Sequence, residues 1–176
     1  MKALRLSTGA PIPPFLDPPG EVPVLNTPLA AHQEAVLSAL DIPIVDTPPG
    51  DEPYLLFSDR TWFTRRAIEA MIAAGPGRMK IDDDGWWMAN GALQDVPEPG
   101  LMELGVVPAG GAPDLTVLQP VVVDLGLRDV DPPELHPSMQ HATRPMRLGG
   151  AMVLQLDHWI HIPVSYTHLT LPTTYT

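Results

Sequence analysis

The sequence predicts an α/β domain, compact, with a mostly parallel sheet flanked by helices. Three observations carry this reading. Apolar segments follow one another in the order β-α-β-β-α, and the connections between them are short and punctuated by proline and glycine. One stretch, Pro53 to Gly75, spells out a complete strand-turn-helix unit. In it Tyr54 to Phe57 is an apolar run of strand length, Thr64 stands as N-cap, and Phe63 and Ile68 sit at the spacing of a hydrophobic staple. Gly75 and Pro76 supply the stop. Ser58, Asp59 and Arg60 come directly after the strand, at the carboxyl end where open α/β sheets place their ligands.

The remaining elements fall around this unit. Lys2 to Leu6 is a short first strand, ending in Ser7-Thr8-Gly9-Ala10. The following P-I-P-P-F-L-D-P-P-G-E is too rich in proline for a helix or a central strand. Thr27 as N-cap and Pro28 at the first helical position open a helix to about Leu40, with Leu29, Val36, Leu37 and Leu40 on one face. Pro43 to Val45 is a second short strand. Arg78 to Ile81, Leu101 to Val107 and Val121 to Leu125 read as further strands. Asp129 to Pro137 is a polar, proline-rich crossing. Gly149-Gly150 then opens a helix from Ala151 to about His161, with Met152, Val153, Leu156, Trp159 and Ile160 on one face.

Composition narrows the function. The 176 residues suffice for one domain with a real core, and 44% hydrophobic content is that of a globular protein. No apolar run approaches a membrane span. The N-terminus reads as a strand rather than a signal peptide. With no cysteine there is no disulfide, thiolate metal site or thiol nucleophile, which fits a cytoplasmic protein. A net charge of -11 argues against nucleic acid or an anionic membrane as partner, since both need a basic surface. Proline, 23 of 176 residues against a usual ~5%, lies mostly between the apolar segments and makes stiff connections.

The first 75 residues resemble the sugar-phosphate nucleotidyltransferases. Leu6-Ser7-Thr8-Gly9-Ala10 sits where that family has a Gly-rich phosphate loop. Val22-Pro23-Val24-Leu25-Asn26-Thr27-Pro28-Leu29 and the helix to Ile42 are similar to its P-K-x-L-x-P-V segment and helix. Tyr54 to Asp59, with Phe63 after it, is similar to the strand whose terminal Gly-Asp holds the catalytic magnesium. The resemblance implies a Rossmann-like sheet and nucleotidyl transfer from a nucleoside triphosphate to a sugar 1-phosphate. It implies Mg²⁺ on Asp59, the catalytic residue, and phosphates on Ser7, Thr8 and Gly9. The departures fall on the chemistry. The family's Gly-x-Gly-x-Arg becomes Gly9-Ala10-Pro11-Ile12-Pro13, and Gly20-Glu21 falls where its lysine belongs. About 50 residues separate Gly9 from Asp59, too few for the family's base-binding strands. Losing both cations weakens phosphoryl chemistry, which works by positioning and charge neutralisation. The rival expectation is therefore a non-catalytic structural or regulatory domain.

The C-terminal part carries a second resemblance. R-P-M-R-L-G followed by a helix through Asp157-His158-Trp159-Ile160-His161 resembles the link by which some such domains join a left-handed β-helix, often an acyltransferase. The last residues, V-S-Y-T-H-L-T-L-P-T-T-Y-T, carry no charge and look like the conceptual translation of a transposase sequencing adapter. The expected organisation is a domain over residues 1–150, a linker helix over 151–163 toward a lost partner, and a non-native tail over 164–176. A helix face without its partner predicts self-association through that helix.

Each remaining constellation has a functional and a plainer reading. Arg60, Arg65 and Arg66, set against the dipole of the helix they precede, either hold a phosphate with its free N–H groups or fan out and pair with Asp59 and Glu69. Asp59 is a magnesium ligand or a turn residue accepting backbone bonds. Asp82-Asp83-Asp84 reads as an acidic turn rather than a calcium loop, since calcium loops space their ligands at alternate positions. His136, His141, His158 and His161 are the candidate zinc set, with structural histidines the plainer reading. Trp62, Trp86, Trp87 and Trp159 stack a sugar or base, or pack in the core. Arg144 and Arg147 extend an anion site or decorate a strand edge.

Overall fold

The computed structural model describes residues 1–83, 98–126, 128–130, 146–148, 150–159 and 161. Asp84, Trp86, Trp87, His136, His141, Arg144, Ile160 and the 164–176 tail lie outside the described residues. The protein is mixed α/β, with a six-stranded, mostly parallel central sheet and, among the described residues, two α-helices. No helix among those residues is long and apolar enough to cross a membrane.

Strand β1 (Lys2–Leu6) pairs in parallel with β4 (Ile44–Val45) on one side and β5 (Tyr54–Ser58) on the other. Beyond β5 comes β8 (Leu101–Val107), antiparallel to it, then β7 (Gly77–Lys80) and β9 (Pro120–Val122). The order is β4-β1-β5-β8-β7-β9, so five strands run one way and β8 alone runs against them. Both edges are blunted, one by a two-residue strand and the other by a strand that opens with Pro120. Gly105, in mid-β8, has a packing reason. A Cβ there would stand 2.6 Å from the Gly77 carbonyl oxygen.

The pleat sorts the core. Ala3, Leu55 and Phe57, with Val106 and Leu104 opposite them, join one large apolar cluster. Helices α1 (Leu29–Ser38) and α2 (Arg65–Ala74) both feed it, through Leu29 and Leu37 and through Ala67, Ile68 and Met71. The opposite face carries a smaller cluster of Leu4, Tyr54, Leu56, Val107 and Leu115, to which the 3-10 turn at Leu115–Val117 contributes Leu115.

The central unit forms as its residues dictate. Thr64 caps α2, its hydroxyl accepting from Ala67 N–H at 3.4 Å, Phe63 and Ile68 are both buried, and Gly75 ends the helix at φ +90°. The same hydroxyl accepts from Met152 N–H at 3.0 Å, and Thr64 N–H donates to Met152 O at 2.9 Å. Thr64→Val should therefore cost about 1 kcal/mol, lowering the urea midpoint without changing the m-value. An unchanged midpoint would mean that water replaces both bonds.

Two expectations are corrected. Thr27 does not cap α1. Strands β2 (Pro23–Val24) and β3 (Thr27–Pro28) form a hairpin whose turn residues, Leu25 and Asn26, both have positive φ, and the helix starts behind it with Pro28 at the N-cap. More consequentially, no linker helix starts at Ala151. Val153–Gln155 is strand β12, antiparallel to β6 (Thr61–Phe63), a strand between β5 and α2 that the pattern concealed. Ala151 to Leu156 is buried throughout, so the run is covered on both faces. A short apolar run of this kind carries no period that separates strand from helix. Met152, Val153 and Leu156 are buried by the domain itself, which removes the basis for self-association through them. Strands β10 (Arg128–Val130) and β11 (Met146–Leu148) form a separate antiparallel pair.

Candidate functional site

Strands β1 and β5 are neighbours from which the chain departs in opposite directions across the sheet, to β4 and toward β7. Their carboxyl ends therefore mark a topological switch point, the position where open α/β sheets leave a crevice. Leu6 and Ser58 end the two strands in register, and Asp59 N–H donates to Leu6 O at 2.8 Å, carrying the pairing one residue further. Here lies an open cleft of about 510 Å³, with Arg5, Ser7, Gly9, Gln33 and Asp59 among its lining residues. Pro11, Leu16, Pro18 and Pro19 form its apolar side.

Thr8 joins the two strand ends chemically. Its backbone N–H donates to both Asp59 carboxylate oxygens, at 3.2 and 3.1 Å, and its hydroxyl lies 2.9 Å from Oδ1. Gly9, at φ +64°, turns the loop away. Arg60 then straps the loop down. Its Nε donates to Thr8 Oγ1 at 3.1 Å, Nη2 reaches the Ala10 and Pro11 carbonyls, and Nη1 donates to Asp157 Oδ1 at 3.2 Å. Burial pushes the Asp157 carboxyl above its ordinary value, with the Arg60 hydrogen bond opposing and Glu103 adding to the rise. The far side of the loop is fixed by Trp159, whose Nε1–H donates to Asp17 at 2.9 Å and whose ring meets Phe15 edge-on at 5.2 Å.

Set against known protein families and against curated proteins, the chain matches none. Its site must be read from its own residues.

The residues singled out in the sequence are thus dispersed. Ser7, Gly9 and Asp59 share the cleft, with Thr8 bonded to Asp59 behind them. The three arginines diverge. Arg60 is engaged in the strap, Arg65 pairs with Glu69 at 2.9 Å on the exposed face of α2, and Arg66 lies against Gly150, where an added Cβ would meet its Nη1. The start of α2 is covered by Met152. It is the start of α1, with Ala30 on the lining and no side-chain cap, that adjoins the cleft.

His161 is buried and its Nδ1 accepts from the backbone N–H groups of Asp157 and His158, at 3.1 and 3.2 Å, which is a local turn bond. Among the described residues no three His, Asp or Glu side chains group as a metal site. Asp82 and Asp83 line a different hollow, with Asp124. Trp62 is buried and stacks on His32, ring centres 5.0 Å apart, and burial lowers the His32 pKa while the Phe63 carbonyl opposes it.

Two polar lining residues, Gln33 and Arg5, are marked by no motif in the sequence. Gln33 is buried on α1, its amide donating to Ser58 O at 3.1 Å and Thr61 O at 2.8 Å, which binds the helix to the end of β5. Its signal was present: Leu29, Gln33 and Leu37 stand four apart, one polar group in an apolar stripe. Arg5 is the other, a charge two residues from Ala3 on the same side of a short strand.

Asp59 is the cleft carboxylate that could take part in holding a magnesium ion. A carboxylate offers about four lone-pair sites, and Thr8 engages part of them. Mg²⁺ keeps several waters and takes one or two carboxylates plus substrate phosphates, so a lone Asp59 suits a metal that arrives with its phosphates.

Proposed function

We propose that this cleft binds a nucleotide or sugar phosphate and that the domain is a sugar-phosphate nucleotidyltransferase with a Rossmann-like sheet. The observation that carries the reading is the shared lining: Ser7, Gly9 and Asp59, on the ends of two adjacent parallel strands, face one open cleft at the switch point of the sheet. The start of α1 supports it, since no side chain caps it and the helix dipole favours an anion there, although Leu29 N–H is taken by Val22 O at 2.9 Å. In the reaction a sugar-phosphate oxygen attacks the α-phosphorus of a nucleoside triphosphate. The bond to the β-phosphate breaks and pyrophosphate leaves. Ser7 and Gly9 present the loop to the phosphates, and Thr8 holds the Asp59 carboxylate in place by three contacts. Mg²⁺ bound at Asp59 would supply charge neutralisation to the phosphates.

A second reading has its own observation. Arg60 is engaged in the strap, and Gly20, where the family resemblance places a lysine, lies on the cleft wall without a charge. This favours a domain that binds without turning over. Thermal melting with nucleoside triphosphates and Mg²⁺ tests the binding both readings share. A saturating triphosphate, at about 100 times its Kd, should stabilise by about 2.7 kcal/mol, and Asp59→Ala should abolish the magnesium-dependent part. No shift with any triphosphate would remove the nucleotide reading. Release of pyrophosphate in the presence of sugar 1-phosphates would decide between transfer and binding alone.

A further inference from the structure

Arg5, next to last in β1, stands on the cleft wall with its side chain 29% exposed, and together with Glu34 it borders a second hollow lined by Ser38, Asp41 and Ile44. Its guanidinium meets two acceptors, Gln33 Oε1 at 3.5 Å and Glu34 Oε1 at 3.3 Å. Both contacts are longer than the usual range, and an arginine carries five N–H donors in a fixed fork. Gln33 is immobilised by its bonds to Ser58 and Thr61, so its oxygen faces Arg5 and aligns it from behind. Glu34 is a different partner. Its side chain is 57% exposed, and such a pair is worth little and yields readily to a competing anion. Among the described residues that line the cleft, Arg5 is also the one Lys or Arg.

We propose that Arg5 is the anion-recognising residue of the cleft, gripping a phosphate group through its N–H fork while Gln33 orients it and Glu34 holds it until the ligand arrives. The substrate class rests on the function proposed above, but the role of Arg5 requires only a phosphate-bearing ligand. A fork of this kind replaces, from strand β1, the cation that Pro13 leaves out of the loop.

The test is calorimetric titration of the full chain with pyrophosphate and with the common nucleoside triphosphates, each with Mg²⁺. Arg5→Gln should weaken pyrophosphate binding about tenfold or more, as expected for a charge-assisted bond. Arg5→Lys should recover part of it. Glu34→Gln, which frees the guanidinium, should tighten binding about two- to fivefold, and the gain should be lost in the Arg5→Gln/Glu34→Gln double variant, since relief of repulsion alone would persist there. Pyrophosphate binding that is indifferent to Arg5→Gln overturns the proposal, and so does Glu34→Gln with unchanged affinity if Arg5→Gln fails to fold. Pyrophosphate binding that needs Arg5, with no triphosphate bound, would retain Arg5 and remove nucleotidyl transfer. Triphosphate binding that needs Asp59 but not Arg5 would do the reverse. No binding of any of these anions overturns both.

Discussion

Leu154→Ala should destabilise the protein by about 3 kcal/mol and lower Tm by about 6–12 °C. Leu154 is 1% exposed in β12, directly opposite Trp62 of β6, with Val153 against Phe63 and Gln155 against Thr61. Truncation there leaves a cavity next to Trp62, the largest fully buried side chain among the described residues, and a strand held on both faces has little room to collapse into it. If residues 151–163 were instead a linker helix reaching for a separate domain, Leu154 would contribute little. Differential scanning calorimetry distinguishes the two, and a loss below about 1 kcal/mol would reject β12 as a core strand.

Arg60→Ala should cost about 2–3 kcal/mol near neutral pH, with a deficit that shrinks in acid. The Arg60 side chain is 13% exposed and that of Asp157 21%, so removing the guanidinium leaves a carboxylate largely cut off from water, and two loop carbonyls lose a donor. The residual exposure keeps the cost below that of a fully buried pair. The pH sign follows from Asp157. Its folded pKa is raised by burial, so the native state holds the proton more tightly than the unfolded chain. The stability this contributes is present below the unfolded pKa and is lost as pH rises through the folded one. Without the opposing Arg60 bond the rise grows, so the variant should be nearest to wild type at about pH 4.5 and furthest at about pH 7.5. Urea midpoints at the two values provide the check. A deficit that is the same at both would show that Asp157 is not the group left stranded.

Local chemistry was legible wherever one segment decides its own structure. Thr64, Phe63, Ile68 and Gly75 mark both ends of α2 in the local sequence, and Met152 then reinforces the first of them. The apolar runs at Tyr54 and Leu101 are strands because they are too apolar to be anything but buried. Illegible were the places where distant segments decide. Thr61 to Phe63 is a strand because residues 153–155 return to pair with it across some ninety positions. Thr27 looks like a cap, but the hairpin with Pro23 and Val24 claims its backbone first. In the cleft, Gly9 and Asp59 announce themselves as strand-end residues. Arg60 looks free from its neighbours alone, and only the fold brings Thr8, Ala10 and Asp157 to it. Arg5 is hidden for the opposite reason, since a single arginine in a strand has no motif to mark it.

The sheet also imposes a schedule on the growing chain. Strand β7 emerges from the ribosome before β8, yet β8 separates it from β5, so β7 has no place to dock until residue 107 has been synthesised. Until then one side of β5 is an open edge flanked by Leu55 and Phe57, ready to pair with whatever arrives. At about 5–20 residues per second that interval lasts several seconds after β5 appears. Strand β6 waits longer still, for residues 153–155. Expression at reduced temperature or alongside a chaperone that shields strand edges should therefore raise the yield of folded protein.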